Sequence, residues 1–187
     1  MADDLTTSNN IPGPGLLTNQ PQNANFLSPL GFRFILKRAP TVNFFCTQVR
    51  IPSLEIGEAT MPTPFKNIPL PGDKPRFSDL VINFKVDEGL KNYLEVFNWI
   101  AKIGFPEKFE QYASVSNNVS STGYGVVSDA TVIVLNSAMD PSVEFRFENM
   151  FPSSISELDF STTESSVNYI SATATFKFQM MKAVPLT

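Results

Sequence analysis

The stretch MPTPFKNIPLPGDKPRFSD (Met61–Asp79) runs without a break into LVINFKV (Leu80–Val86) and EGLKNYLEVFNWIAKI (Glu88–Ile103), and its reading decides the fold. Proline lacks a backbone donor, so prolines at 52, 62, 64, 69, 71 and 75 limit the segment Pro52–Pro75 to an edge hairpin or an extended arm. Gly72-Asp73 offers a turn at its far end. In the next segment Leu80, Ile82, Phe84 and Val86 alternate with Val81, Asn83 and Lys85, the period of a strand with one buried face. Leu90, Tyr93, Leu94, Phe97, Ile100 and Ile103 then recur at three- and four-residue spacing, which predicts an amphipathic helix over Glu88–Ile103. Asp87 is its expected N-cap, and Gly104 the residue after its end. This stripe places Leu94, Phe97 and Ile100 in the core and Trp99 at the border or against a neighbour. None of these side chains looks catalytic. The segment reads as a protruding arm beside a helix, a part made to touch copies of itself.

Outward from this stretch the text is mostly strands. Phe32, Phe34 and Leu36 alternate with Arg33 and Lys37, and Val42–Ile51 is expected to return as a second strand after a turn at Pro40. Ala130–Leu135 is apolar on both faces, as in an interior strand. Val143, Phe145 and Phe147 alternate with Glu144, Arg146 and Glu148; Phe151-Pro152 is expected to break that strand, with a further short one over Ile155–Phe160. From Ile170 to Met180 alternation is strict, with Ile170, Ala172, Ala174, Phe176, Phe178 and Met180 on one face. Asn117–Gly125 is a polar loop. Seven or eight strands, one helix and no internal repeat are expected.

The bulk composition narrows the function classes. With 187 residues and 42% hydrophobic content the chain has material for one sound core. Seventeen phenylalanines suit strands with large inward side chains. A net charge of −4 provides no basic patch for gripping nucleic acid. There is no histidine and a single cysteine, Cys46, which excludes an internal disulfide framework and any His/Cys zinc site, and removes the commonest general base. Cys46 lies in the apolar run VNFFCTQV and reads as a small hydrophobe. Alternating carboxylates such as Glu144/Glu148 and Glu157/Asp159 read as solvated strand faces, and no phosphate-binding glycine loop is present. No cofactor, metal site or enzyme activity is expected. The N-terminus shows no signal peptide, and no apolar run is long enough to span a bilayer, so synthesis in a cytosol is expected. Residues 1–30, with Pro12, Pro14, Pro21 and Pro29 and five asparagines, form a separate arm, either a flexible tail or one that orders on a neighbour.

Gly72-Asp73-Lys74 followed by Phe77 and Asp79, the strand ending in Val86-Asp87-Glu88, the helix with Phe97 and Trp99, and Phe151-Pro152, Ile155 and Glu157-Leu158 together resemble the tail tube proteins of contractile-tailed bacteriophages. The resemblance covers about Gly31–Val184; the long arm before Gly31 and the loop around Asn117 depart from it. It implies a mainly β fold for residues 31–187: an antiparallel β-sandwich or small barrel with one flanking helix, related to the haemolysin-coregulated protein of type VI secretion. It also implies rings of six copies that stack into a tube whose lumen conducts DNA without specific binding. Partners would be further copies of the chain and the tail sheath, baseplate and tail terminator proteins, with no membrane, in a virion assembled in a bacterial cytoplasm. A ring that starts or ends the tube is the variant of this role that the departures leave room for. From another class, a β-sandwich ligand- or carbohydrate-binding module is the alternative.

On this reading the arm residues Met61, Phe65, Lys66, Ile68, Leu70, Asp73, Lys74 and Arg76 form the subunit interface. The polar strand face of Ser171, Thr173, Thr175, Lys177 and Gln179 lines the lumen, with Glu144, Arg146 and Glu148 as second choice. Closing sheets between subunits would remove exposed edges, and a head-to-tail contact closes into a ring when its rotation fits.

Overall fold

The computed structural model describes residues 25–104, 110, 125–162 and 168–186. The expected loop at 117–125 lies outside these residues except for Gly125, as do residues 1–24 of the N-terminal arm. Nine strands and two helices are described in the order β1 (Phe32–Leu36), α1 (Pro40–Phe45), β2 (Cys46–Arg50), β3 (Leu54–Pro62), β4 (Asn67–Phe77), β5 (Leu80–Lys85), α2 (Lys91–Gly104), β6 (Ser128–Leu135), β7 (Pro141–Ile155), β8 (Ser171–Lys177) and β9 (Met180–Pro185). Seven strands form one antiparallel sheet in the order β1-β6-β7-β8-β5-β2, with β9 also on β7. β3 and β4 form a separate two-stranded sheet.

Inward side chains from both halves of the large sheet meet in one core. Phe34, Leu36, Ala130, Val132 and Phe147 come from one half, and Leu80, Ile82, Phe84, Ala172, Ala174 and Phe176 from the other. The expected alternation in β5 and β8 is observed, because a pleated strand with one covered face buries every second side chain. Beyond Phe178, which still packs against the core, the alternation fails: the chain bends at Gln179 between β8 and β9, and Met180, expected inward, is exposed.

β7 joins the halves. Val143–Glu148 pairs with β9, and Phe151–Ile155 with β8. Between them sits Asn149 at φ 53, a left-handed conformation that Asn adopts more readily than most residues. Its side-chain amide donates to Gln179 Oε1 at 2.7 Å, and the Gln179 amide donates to Glu148 O at 3.1 Å. Facing irregularities in adjacent strands thus turn the sheet at one corner. The expected break at Phe151-Pro152 does not occur. The segment 151–155 pairs on one side only and slips register between Pro152 and Ser154, and an edge bulge tolerates a missing donor. Residues 156–160, expected as a strand, are not one.

Both helices depart from expectation. The turn expected at Pro40 and the start of the strand expected over Val42–Ile51 are instead the helix α1, with proline at its first turn, where a missing donor costs nothing. α2 begins at Lys91, after a turn closed by Leu90 N to Asp87 O at 2.8 Å, so Asp87 is not its cap. Its face is also rotated from the expected one. Asn92, Val96 and Trp99 are buried, whereas Leu94 and Phe97 are 43% and 48% exposed. Asn92 brackets the entrance: its Nδ2 donates to Lys85 O at 2.7 Å, and its Oδ1 accepts from Asp87 N at 3.2 Å.

The turn expected at Gly72-Asp73 is also elsewhere. The hairpin reverses at 63–66, and Gly72 sits inside β4 at a bulge facing Gly57. A Cβ at Gly72 would lie 2.5 Å from Gly57 O, closer than backbone can tolerate, while a Cβ on Gly57 would meet nothing. Gly72→Val is therefore expected to spread the hairpin, speeding amide exchange over 54–77 by about tenfold or more while the body keeps its protection. Gly57→Ala should leave both patterns unchanged. Slow exchange retained in Gly72→Val would show that the close approach is not structural.

Candidate functional site

The β3–β4 hairpin is the most exposed element among the described residues. Every residue of β3 is exposed, and its strands pair only with each other. Pairing of Met61 with Ile68 and of Ala59 with Leu70 places these four on one face, an apolar stripe along the hairpin. Burying one such side chain on a partner would gain roughly 1.5–3 kcal/mol. Phe65 stands at the tip, 99% exposed. The tip turn is closed by Thr63 N to Lys66 O at 3.3 Å and Lys66 N to Thr63 Oγ1 at 3.2 Å, and the Thr63 hydroxyl also donates to Lys66 O. Lys66 flanks Phe65, Asp73 and Lys74 occupy the bulge opposite Gly57, and Arg76 lies opposite Glu55. All eight candidate arm residues therefore lie on one projecting hairpin.

The hairpin's prolines also have a direction. Pro69 and Pro71 are two residues apart, so their nitrogens point to the same edge of β4. Pairing with β3 continues through both, which makes that edge the outer one. With no donors at Pro69 and Pro71, this edge of β4 resists strand addition there.

The second candidate surface is the outward face of β2, β5 and β8. Ser171, Thr173, Thr175 and Lys177 lie opposite the buried Ala172, Ala174 and Phe176. Thr173 Oγ1 donates to Asn83 Oδ1 at 2.8 Å, and Asn83 Nδ2 donates to Gln48 Oε1 at 2.7 Å. Lys85 Nζ donates to Ser171 Oγ at 2.9 Å, and Lys177 pairs with Asp79 at 3.2 Å. Asn83 and Gln48 were not candidates; only the pairing of β5 with both β2 and β8 brings them to Thr173. Gln179 does not join this face, since it lies at the bend between β8 and β9, bonded to Asn149. Glu144, Arg146 and Glu148 belong to the other half of the sheet, where Arg146 pairs with Glu144 at 2.7 Å and Lys182 with Glu148.

Cys46 is a poor nucleophile at neutral pH. Burial pushes its thiol up to about 11, only partly offset by its contact with Gln48 O at 3.7 Å. Alkylation by iodoacetamide should be slow at neutral pH and rise about tenfold per pH unit toward that value, since only the thiolate reacts. A rate that levels off near pH 8 would contradict this placement. Among the described residues no cluster of three or more acidic or cysteine side chains could hold a metal, and no helix is long and apolar enough to cross a membrane.

No family model and no curated protein sequence matches the chain. Several solved structures do. The tube-terminating cap of the anti-feeding prophage is 12% identical with a TM-score of 0.57, covering 91% of this chain and 99% of its own. The sheath/tube terminator of the PVC extracellular contractile injection system, in its extended state, is 14% identical with a TM-score of 0.58, covering 87% of this chain and 99% of its own. A chain of the PVC sheath–tube complex in its extended state is 14% identical with a TM-score of 0.51, covering 87% and 94%. At these identities the likeness is one of fold. The tail-tube fold expected from the resemblance is the fold observed.

Proposed function

We propose that the chain is a structural subunit of the tail tube of a contractile particle, forming a ring that terminates the tube. The observation that carries this reading is the match, over nearly the whole length of both partners, to two tube-terminating proteins, each with a higher TM-score than the sheath–tube match. The ring is built of copies of this chain, six by the expected pattern, and it meets the tube and sheath proteins of its particle, with the baseplate as a partner of the same assembly. In a phage tail its passage conducts DNA, and the assembled virion is its location. No catalytic step is assigned to it.

Within the ring the hairpin is the assembly element and the polar face of β5 and β8 lines the passage. A face whose hydroxyls and amides bond mainly to one another, with little net charge, can remain wet without gripping a polyanion. The test is electron microscopy of the purified protein at rising concentration. A terminating ring gives discrete rings or short stacks. Long tubes of the isolated protein would mark it as the repeating tube subunit, and a monomer at every concentration would refute the ring. In a map of the assembly, Thr173 and Thr175 should border the central passage; finding them in a dry contact between subunits would overturn the lumen assignment.

A further inference from the structure

Between the end of β5, the start of α2 and the segment entering β8 lies a cavity of about 530 Å³ walled by Phe45, Val86, Leu90, Phe160, Tyr169 and Ile170. Phe160 and Tyr169 are largely exposed, so the wall presents apolar surface that folding leaves uncovered. Leu90 is fixed in this wall by a left-handed backbone, φ 56, braced by Leu90 N to Asp87 O and Leu94 N to Leu90 O at 2.9 Å.

The rim is acidic. Asp87 and Glu88 both border the cavity, and neither belongs to any ion pair among the described residues. The cation at the rim, Lys85, is engaged with Ser171 Oγ and with Tyr169 O at 3.3 Å. A neighbouring polar recess shares Phe160, Tyr169 and Ile170 and adds Glu157 and Asp159. A fitting ligand therefore offers an aromatic or aliphatic group with a cation beside it.

The hairpin tip has that chemistry. Phe65 is fully outside the body, its turn is held by the Thr63–Lys66 bonds, and Lys66 follows it directly. Such a turn loses little freedom on docking. The proline-bearing outer edge of β4 disfavours strand addition on that side, and the tip offers side chains instead. We propose that this cavity is the socket for the Pro64–Phe65–Lys66 tip of a second copy, with Phe65 entering the apolar chamber and Lys66 meeting Asp87 and Glu88. The proposal rests on the hairpin being the assembly element and names the surface that receives it.

Two measurements test it. In sedimentation velocity, Lys66→Glu and Glu88→Lys should each raise the dissociation constant of assembly by about tenfold, and the two changes combined in one chain should return it to within about threefold of the parent. In a Cys46→Ser background, Phe65→Cys and Tyr169→Cys chains should form a disulfide-linked dimer when mixed and oxidised, with circular dichroism confirming that each variant is folded. Assembly that persists without this crosslink, or is indifferent to both charge reversals, overturns the socket while leaving the hairpin's role intact. A hairpin-excised protein that assembles like the parent removes both. Assembly lost in Tyr169→Lys but unchanged in Phe65→Ala assigns the cavity to a different occupant, and the proposal falls.

Discussion

Trp99→Ala is expected to cost about 3–5 kcal/mol of folding stability, a large part of the roughly 5–15 kcal/mol that holds a domain of this size together. Trp99 is 3% exposed and connects four parts of the body. Its ring packs against Phe176 of β8 at 6.2 Å, and its indole N–H donates to Val126 O at 2.9 Å. The Arg38 guanidinium lies 5.0 Å over the ring and donates to the Gly125 carbonyl, and burial lowers its proton affinity. Removing the indole therefore leaves a cavity, an unpaired carbonyl and a guanidinium stripped of its aromatic cover. Phe97→Ala, on the opposite side of α2, should cost only about 1 kcal/mol or less because half the ring already meets water. Urea midpoints of the two variants decide the matter. A larger loss for Phe97→Ala than for Trp99→Ala would mean that α2 is facing the other way.

Excising the hairpin is expected to abolish assembly and leave the body folded. Replacing residues 56–75 with a short Gly/Ser linker cuts above the base, where Ser78 N donates to Ser53 O at 3.1 Å and Phe77 packs on Phe178 at 5.7 Å. The removed strands form no ladder with the large sheet, so no core residue loses its cover. An isolated two-stranded hairpin is marginal in water, and an apolar stripe on one is stabilised by a partner surface. Thermal melts by circular dichroism should keep the melting temperature within a few degrees of the parent, while sedimentation shows only monomer. A melt that drops sharply would make the hairpin part of the folding unit, contrary to the topology.

Which parts of this were legible in the sequence follows from how local each signal is. The alternation of Ala172, Ala174 and Phe176 with Thr173 and Thr175 is written directly in the chain, and so is the exclusion of the proline-rich segment from central sheet positions. The orientation of α2 was not. Large apolar residues occur on two of its faces, so Leu94 and Phe97 outweigh Val96, and Asn92 gives no signal of burial. Its burial depends on the carbonyl of Lys85, which only the fold supplies. Pro152 was read as a break because sequence does not say that the end of β7 is an edge. The pairing of Asn83 with Thr173 required knowing that β5 and β8 are neighbours, although 90 residues separate the two. The candidate arm residues fell on one element because their contiguity is itself the signal, whereas the cavity at Leu90 draws on distant segments and left no motif.

The strand β7 has a mechanical consequence. It runs through both halves of the large sheet, and β8 and β9 follow it back along the same line. A pull that separates the halves along this direction loads the ladder hydrogen bonds together, in shear, instead of opening them one after another. The corner at Asn149 and Gln179 bends this paired rib without interrupting it. In the proposed role, as the end ring of a contractile particle, a body with such a continuous rib would transmit axial stress as one stiff piece.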